Sequence, residues 1–144
     1  MPRGKREHVT LIAALTPSGV AAPVLLPGAL DGTAFAAWAE QALAPALRPG
    51  QTVLLDNRSV HLDARARRAV EAAGCALRFL PRYSPDLNPI KPAFAKVKQA
   101  LRRAEARTFD ALVAAAGPAL AAVTPADARG FFRAAGYPLP ERLL

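Results

Sequence analysis

The chain holds one cysteine, two histidines and nine aromatic residues among its 144, and each scarcity removes a class of protein. Cys75 cannot close an internal disulfide, and it has no Cys or His neighbour at the spacing of a zinc site, so it reads as a small buried hydrophobe. No stretch reaches the roughly eighteen uninterrupted apolar residues that a membrane span needs. The basic start Met1-Pro-Arg-Gly-Lys-Arg6 leads into an alternating segment rather than an apolar core with a small-residue cleavage site, so no secretory signal and a cytoplasmic location are expected. The length suits one domain with one core.

Acidic residues are also scarce: eleven Asp and Glu face nineteen Lys and Arg, a formal charge of +8. The excess is local. From Arg58 to Arg107 there are twelve cations against four acids (Asp63, Glu71, Asp86, Glu105), and the rest of the chain holds seven of each. A basic field confined to one segment favours a polyanion, because each phosphate neutralised releases condensed counterions. The competing reading is a solvated surface of high isoelectric point.

The pattern of apolar residues predicts an α/β order. Segments 8–15 and 20–26 form two strands around the turn Thr16-Pro-Ser-Gly19. Asp31 caps a helix with Phe35, Trp38 and Leu43 on one side, limited by Pro45 and Pro49-Gly50. Segment 52–55 is a short buried strand ending on Asp56. Segment 63–73 is an amphipathic helix closed by Gly74, and 76–80 is another strand. The loop 81–89 carries three prolines. Ile90, Phe94, Val97 and Leu101 then mark one helical face, with Lys91, Lys98 and Arg102 on another. Two covering helices follow, one opened by Thr108 and one by Thr124-Pro125 with Asp127 completing a capping box.

Asp56 stands at a strand end, where open α/β sheets place their sites, although an Asp-Asn pair also begins ordinary turns. Two stretches sharpen the choice: Asp56-Asn-Arg-Ser-Val-His61 and Leu80-Pro-Arg-Tyr-Ser-Pro-Asp-Leu-Asn-Pro-Ile90. They resemble the catalytic domain of DDE transposases, in particular the mariner-like superfamily and its bacterial insertion-sequence relatives. In that family the second acid opens a strand-end Asp-Asn motif, and the third directly follows the Ser-Pro-Asp-Leu-Asn-Pro-Ile block. The tail segments 124–133 and 136–137 also look like the family's C-terminal part. Spacing agrees: 34 residues lie between Asp56 and position 91, as is common in the family.

Position 91 is lysine where the family has glutamate. An ammonium cannot ligate a metal ion. With Asn88 as cap and Pro89 first in the helix, Lys91 falls at the third helical position, where a carboxylate suits the orphan N–H groups. Asp86 more plainly makes a turn within its loop, and Glu105 is several turns too far along to take over. The family's first acid lies on a strand ahead of the hairpin; only Glu7 is available there, in a basic run.

The resemblance therefore implies a single domain over 1–144, with 107–144 as its C-terminal helical segment. Its expected fold is a ribonuclease-H-like (integrase-like) mixed sheet flanked by helices, without its first, central strand. It implies a transposase in which Mg²⁺ or Mn²⁺, held by three acids in intact relatives, is bound weakly or not at all. Asp56 is the retained ligand and Lys91 a non-functioning third position. The implied partners are DNA at transposon ends and either a second copy or a complementing transposase chain, with no membrane. Arg58, His61, Arg82, Tyr83, Lys98 and Arg102 are the DNA-facing candidates; His61 also suits a polar cap, and Tyr83 also suits packing under the proline loop. Three functions compete: a catalytically defective transposase domain, one half of a split transposase completed by an upstream reading frame, and a DNA-binding regulator. No helix-turn-helix reader is evident, so backbone binding sensitive to salt is expected.

Overall fold

A computed structural model describes residues 9–55, 64–81 and 85–137. Backbone contacts divide the chain into two units, Met1–Ala13 with Ala22–Phe79, and Ala14–Ala21 with Leu80–Leu144.

The hairpin strands β1 (Val9–Thr16) and β2 (Gly19–Pro27) pair as a two-stranded sheet. Pro17 and Ser18 link them, and so short a link allows only antiparallel pairing. Thr16 secures the turn: its Oγ1 accepts from the Ser18 N–H at 3.1 Å and donates to the Gly19 carbonyl at 3.1 Å. β2 contains one non-glycine residue in the left-handed region, Ala22, at a φ of 53°.

In the first unit, Asp31 caps α1 (Gly32–Trp38) as expected, its carboxylate accepting from the Ala34 N–H at 2.8 Å. The helix then widens into a π-helical segment, Ala39–Leu43, before a last turn, α2 (Ala44–Ala46). The N–H of Ala44 reaches back five residues to the Ala39 carbonyl. The widening falls immediately before Pro45, whose ring would crowd the carbonyl four residues earlier in a regular helix. It also carries Leu43 to the same interior as Phe35, Ala36, Trp38 and Ala39, all of them buried.

Strand β3 (Thr52–Leu55), helix α3 (Ala64–Ala72) and strand β4 (Ala76–Phe79) form a βαβ unit. The strands pair in parallel, from Thr52 beside Ala76 to Leu55 beside Phe79. Ala66 and Val70 of α3 are buried, and α3 packs on β4, on α1 and on the π-helical segment. Gly74, at φ +83°, turns the chain from α3 into β4, and a Cβ there would sit 3.2 Å from the Pro49 side chain. Cys75 is buried, as its apolar surroundings foretold, with its thiol donating to the Arg48 carbonyl at 3.0 Å. The expected buried strand before Asp56 is only partly so: Thr52 is exposed and Val53 to Leu55 are half-buried. Among the described residues β3 pairs with β4 alone, which leaves its other edge uncovered by a strand.

In the second unit, a short 3₁₀ turn, Pro85–Leu87, leads into α4 (Ile90–Ala104), which packs against α5 (Phe109–Ala121) and α6 (Pro125–Ala134). Ala93 and Val97 of α4 are fully buried, while Ile90, Phe94 and Leu101 are half-buried, so the expected apolar face is the packed one. Thr108 caps α5, and Thr124 caps α6 in a reciprocal box with Asp127. Both caps are as the sequence predicts, because capping chemistry is local. Among the described residues, no single helix is long and apolar enough to cross a membrane. The described elements thus form a mixed α/β chain of two small sheets and flanking helices.

Candidate nucleic-acid interface and acid positions

In the first unit the parallel register brings Leu55 and Phe79 side by side at the C-terminal ends of β3 and β4. These ends are the edge at which α/β units present their chemistry. Asp56, Arg58 and His61 follow β3 in sequence but lie outside the described residues, as do Arg82 and Tyr83 after β4.

The arginines of α3 are largely engaged with their own surroundings. The Arg65 guanidinium donates to both Glu40 carboxylate oxygens, at 2.7 and 3.3 Å. That bond, reinforced by the fields of Arg65 and Arg68, holds the Glu40 carboxyl below the usual carboxylate range. Arg67 lies 5.8 Å above the Phe79 ring centroid and 3.8 Å from Glu71.

Helix α4 of the second unit is different. It contains five cations (Lys91, Lys96, Lys98, Arg102, Arg103) and no acid. Lys96 alone among them has an ion-pair partner among the described residues: its ammonium meets the Asp127 carboxylate. The Lys96 bond, followed by the Thr124 backbone N–H, keeps the Asp127 carboxyl below its ordinary value. Lys91, Lys98, Arg102 and Arg103 are exposed. At 3.6 residues per turn, Lys91, Lys98 and Arg102 share one line along the helix, roughly 16 Å long, and Arg103 lies about 100° round from Arg102. Of the DNA-facing candidates, Lys98 and Arg102 are therefore both accessible and placed together with Lys91.

The start of α4 corrects one expectation. Pro89, at φ −67° and ψ −18°, is the cap residue rather than the first helical one, and Lys91 takes the second helical position rather than the third. Asn88 still contributes: its Oδ1 accepts from the Ile90 N–H at 3.3 Å and its carbonyl accepts from the Lys91 N–H at 3.3 Å. The Lys91 N–H bonds three residues back, a tighter turn than the α-helical four, so the regular helix begins only at Ile90. Lys91 projects from the first turn in either case.

One contact escaped the sequence reading. The Tyr137 hydroxyl donates to the Leu87 carbonyl at 2.8 Å, tying the end of α6 to the 3₁₀ turn ahead of α4. Burial pushes the Tyr137 hydroxyl pKa up, and its ring meets Phe132 edge-on at 6.2 Å. The sequence offered no sign of this bond beyond a lone tyrosine fifty residues away.

The described residues thus hold a parallel strand–helix–strand unit in the first unit and, in the second, a helix with five cations and no acid. Residues 1–113 match the family described as DDE superfamily endonuclease, and the chain belongs to that family. No curated protein matches the chain.

Members of this family generally use divalent metals. Among the described residues no three of His, Cys, Asp and Glu come together in a way that could hold a metal ion. The residue at position 91, an exposed lysine, has no electron pair to offer a cation while it is charged.

Proposed function

We propose that this chain is a transposase-family domain that binds DNA but does not cut it, with Asp56 in the second acid position and Lys91 in the third. The observation that carries the reading is Lys91 itself, an exposed cation in the first turn of α4, where the motif spacing of the family calls for glutamate. Phosphodiester attack on two metals needs carboxylates that hold both ions, and a cation in that set repels them. The expected fold behind this reading is ribonuclease-H-like, with Asp56 at the C-terminal end of β3. Arg58, His61, Arg82 and Tyr83 are proposed to border the DNA, with Lys98 and Arg102 contacting its phosphates. Incubating the protein with supercoiled plasmid and Mg²⁺ or Mn²⁺ tests this: the plasmid is retarded in a gel but stays supercoiled. Conversion to nicked circles that Asp56→Ala abolishes would overturn it.

A second reading, one half of a split transposase, is favoured by the edge of β3 that no strand covers among the described residues. A parallel pair of four-residue strands is a marginal sheet, and an uncovered edge is a template for another strand. A separate chain supplying the family's first strand would pair there.

A further inference from the structure

The basic face of α4 goes beyond a lost catalytic residue. We infer that Lys91, together with Lys98 and Arg102, forms a metal-independent binding line for the phosphates of duplex DNA, in which the Lys91 ammonium stands in for a carboxylate and the divalent cation that carboxylate would hold. This rests on the DNA-binding reading above and adds to it how the phosphates are held.

Three observations support it. First, the charge agrees: an ammonium carries the same net charge as one carboxylate with one divalent ion bound, so a phosphate meets the same local charge without any metal. Second, the line is free to act. Lys91, Lys98 and Arg102 are exposed and have no ion pair among the described residues, whereas the remaining lysine of the helix, Lys96, is held by Asp127. Third, the helix carries no acid to repel a polyanion, and its opposite face is fixed by the buried Ala93 and Val97, so the cations sit on a rigid element. Backbone contact by three such groups gives affinity without sequence preference.

The experiment is fluorescence anisotropy of a short labelled duplex of arbitrary sequence with the full chain, titrated across salt concentrations in EDTA and again with Mg²⁺. The wild-type protein binds in EDTA, Mg²⁺ does not strengthen the binding, and log affinity falls against log salt with a slope of about −3, from roughly 0.9 per phosphate. Lys91→Gln makes that slope shallower by about 1 and weakens binding about eightfold at roughly 0.1 M salt. Arg103→Gln, the same charge change off the line, has a markedly smaller effect. Binding that requires Mg²⁺, or equal losses for Lys91→Gln and Arg103→Gln, overturns this inference while leaving DNA binding itself intact. No binding under any condition overturns both the inference and the DNA-binding reading.

Discussion

The indole Nε1 of Trp38 donates a 2.8 Å hydrogen bond to the carbonyl of Ala22, the one residue of the hairpin strands held at a positive φ without being glycine. A left-handed alanine costs about 1–2 kcal/mol, and the bond to a buried tryptophan is what the distortion allows. Ala22→Gly should therefore raise stability by about 0.5–1 kcal/mol, the relieved strain being partly offset by the greater backbone entropy of glycine in the unfolded chain. Trp38→Phe should lower it by about 1 kcal/mol or more, since the carbonyl loses its partner. Urea midpoints of the two variants against the wild type decide both.

Glu105 ends α4 in the left-handed conformation, at φ 54° and ψ 37°. Glycine accepts that geometry freely, and an acid at a helix C-terminus faces the negative end of the macrodipole. Glu105→Gly should stabilise the protein by about 1 kcal/mol, read as a higher thermal midpoint, and should not weaken DNA binding.

Asp127 joins the cap of α6 to Lys96 of α4, with its carboxyl held below the ordinary value. A depressed carboxyl contributes stability that is present above its unfolded pKa and lost as pH falls through its folded one. Stability should thus decline on acidification below about pH 4. Asp127→Asn should be less stable at neutral pH and show a flatter acid limb. Thr124→Ala, which removes the other half of the capping box, should cost about 1 kcal/mol with the acid limb retained. Chemical denaturation from neutral to acid pH separates the two.

Tyr137→Phe keeps the ring against Phe132 but deletes the bond to the Leu87 carbonyl. A loss of about 1 kcal/mol is expected, together with faster amide exchange in the turn Pro85–Leu87, measurable by hydrogen exchange.

These relationships differ in how legible they were. The apolar offsets Ile90, Phe94, Val97 and Leu101 gave the phase of α4, and the Thr108 and Thr124–Asp127 caps could be read because their partners are three residues away. The π-helical segment had a signal that helical periodicity alone passes over: Trp38 and Leu43 are five residues apart, too far for neighbours on a regular helical face, yet both are buried. Ala22 gave no signal, since alanine carries no preference for a positive φ. The β1–β2 hairpin could be read from its turn, but the pairing of β3 with β4 could not, because it joins residues 24 apart and depends on packing of the whole unit. At the site, Lys91 was found from motif spacing, but its helical position depended on where the regular helix begins after Pro89. Lys96 showed no sign in sequence of being the cation of α4 that would be neutralised, since its partner is 31 residues away.

The most direct test of a DNA-binding, non-cutting domain is strand cleavage of transposon-end DNA with Mg²⁺ or Mn²⁺, comparing the protein with its Lys91→Glu variant. Each is assayed alone and with a separate chain supplying the family's first strand and acid. The account predicts no cleavage by the wild-type protein under either condition, and cleavage by Lys91→Glu with the complementing chain that Asp56→Ala abolishes. Cleavage by the wild-type protein that depends on Asp56 would contradict it.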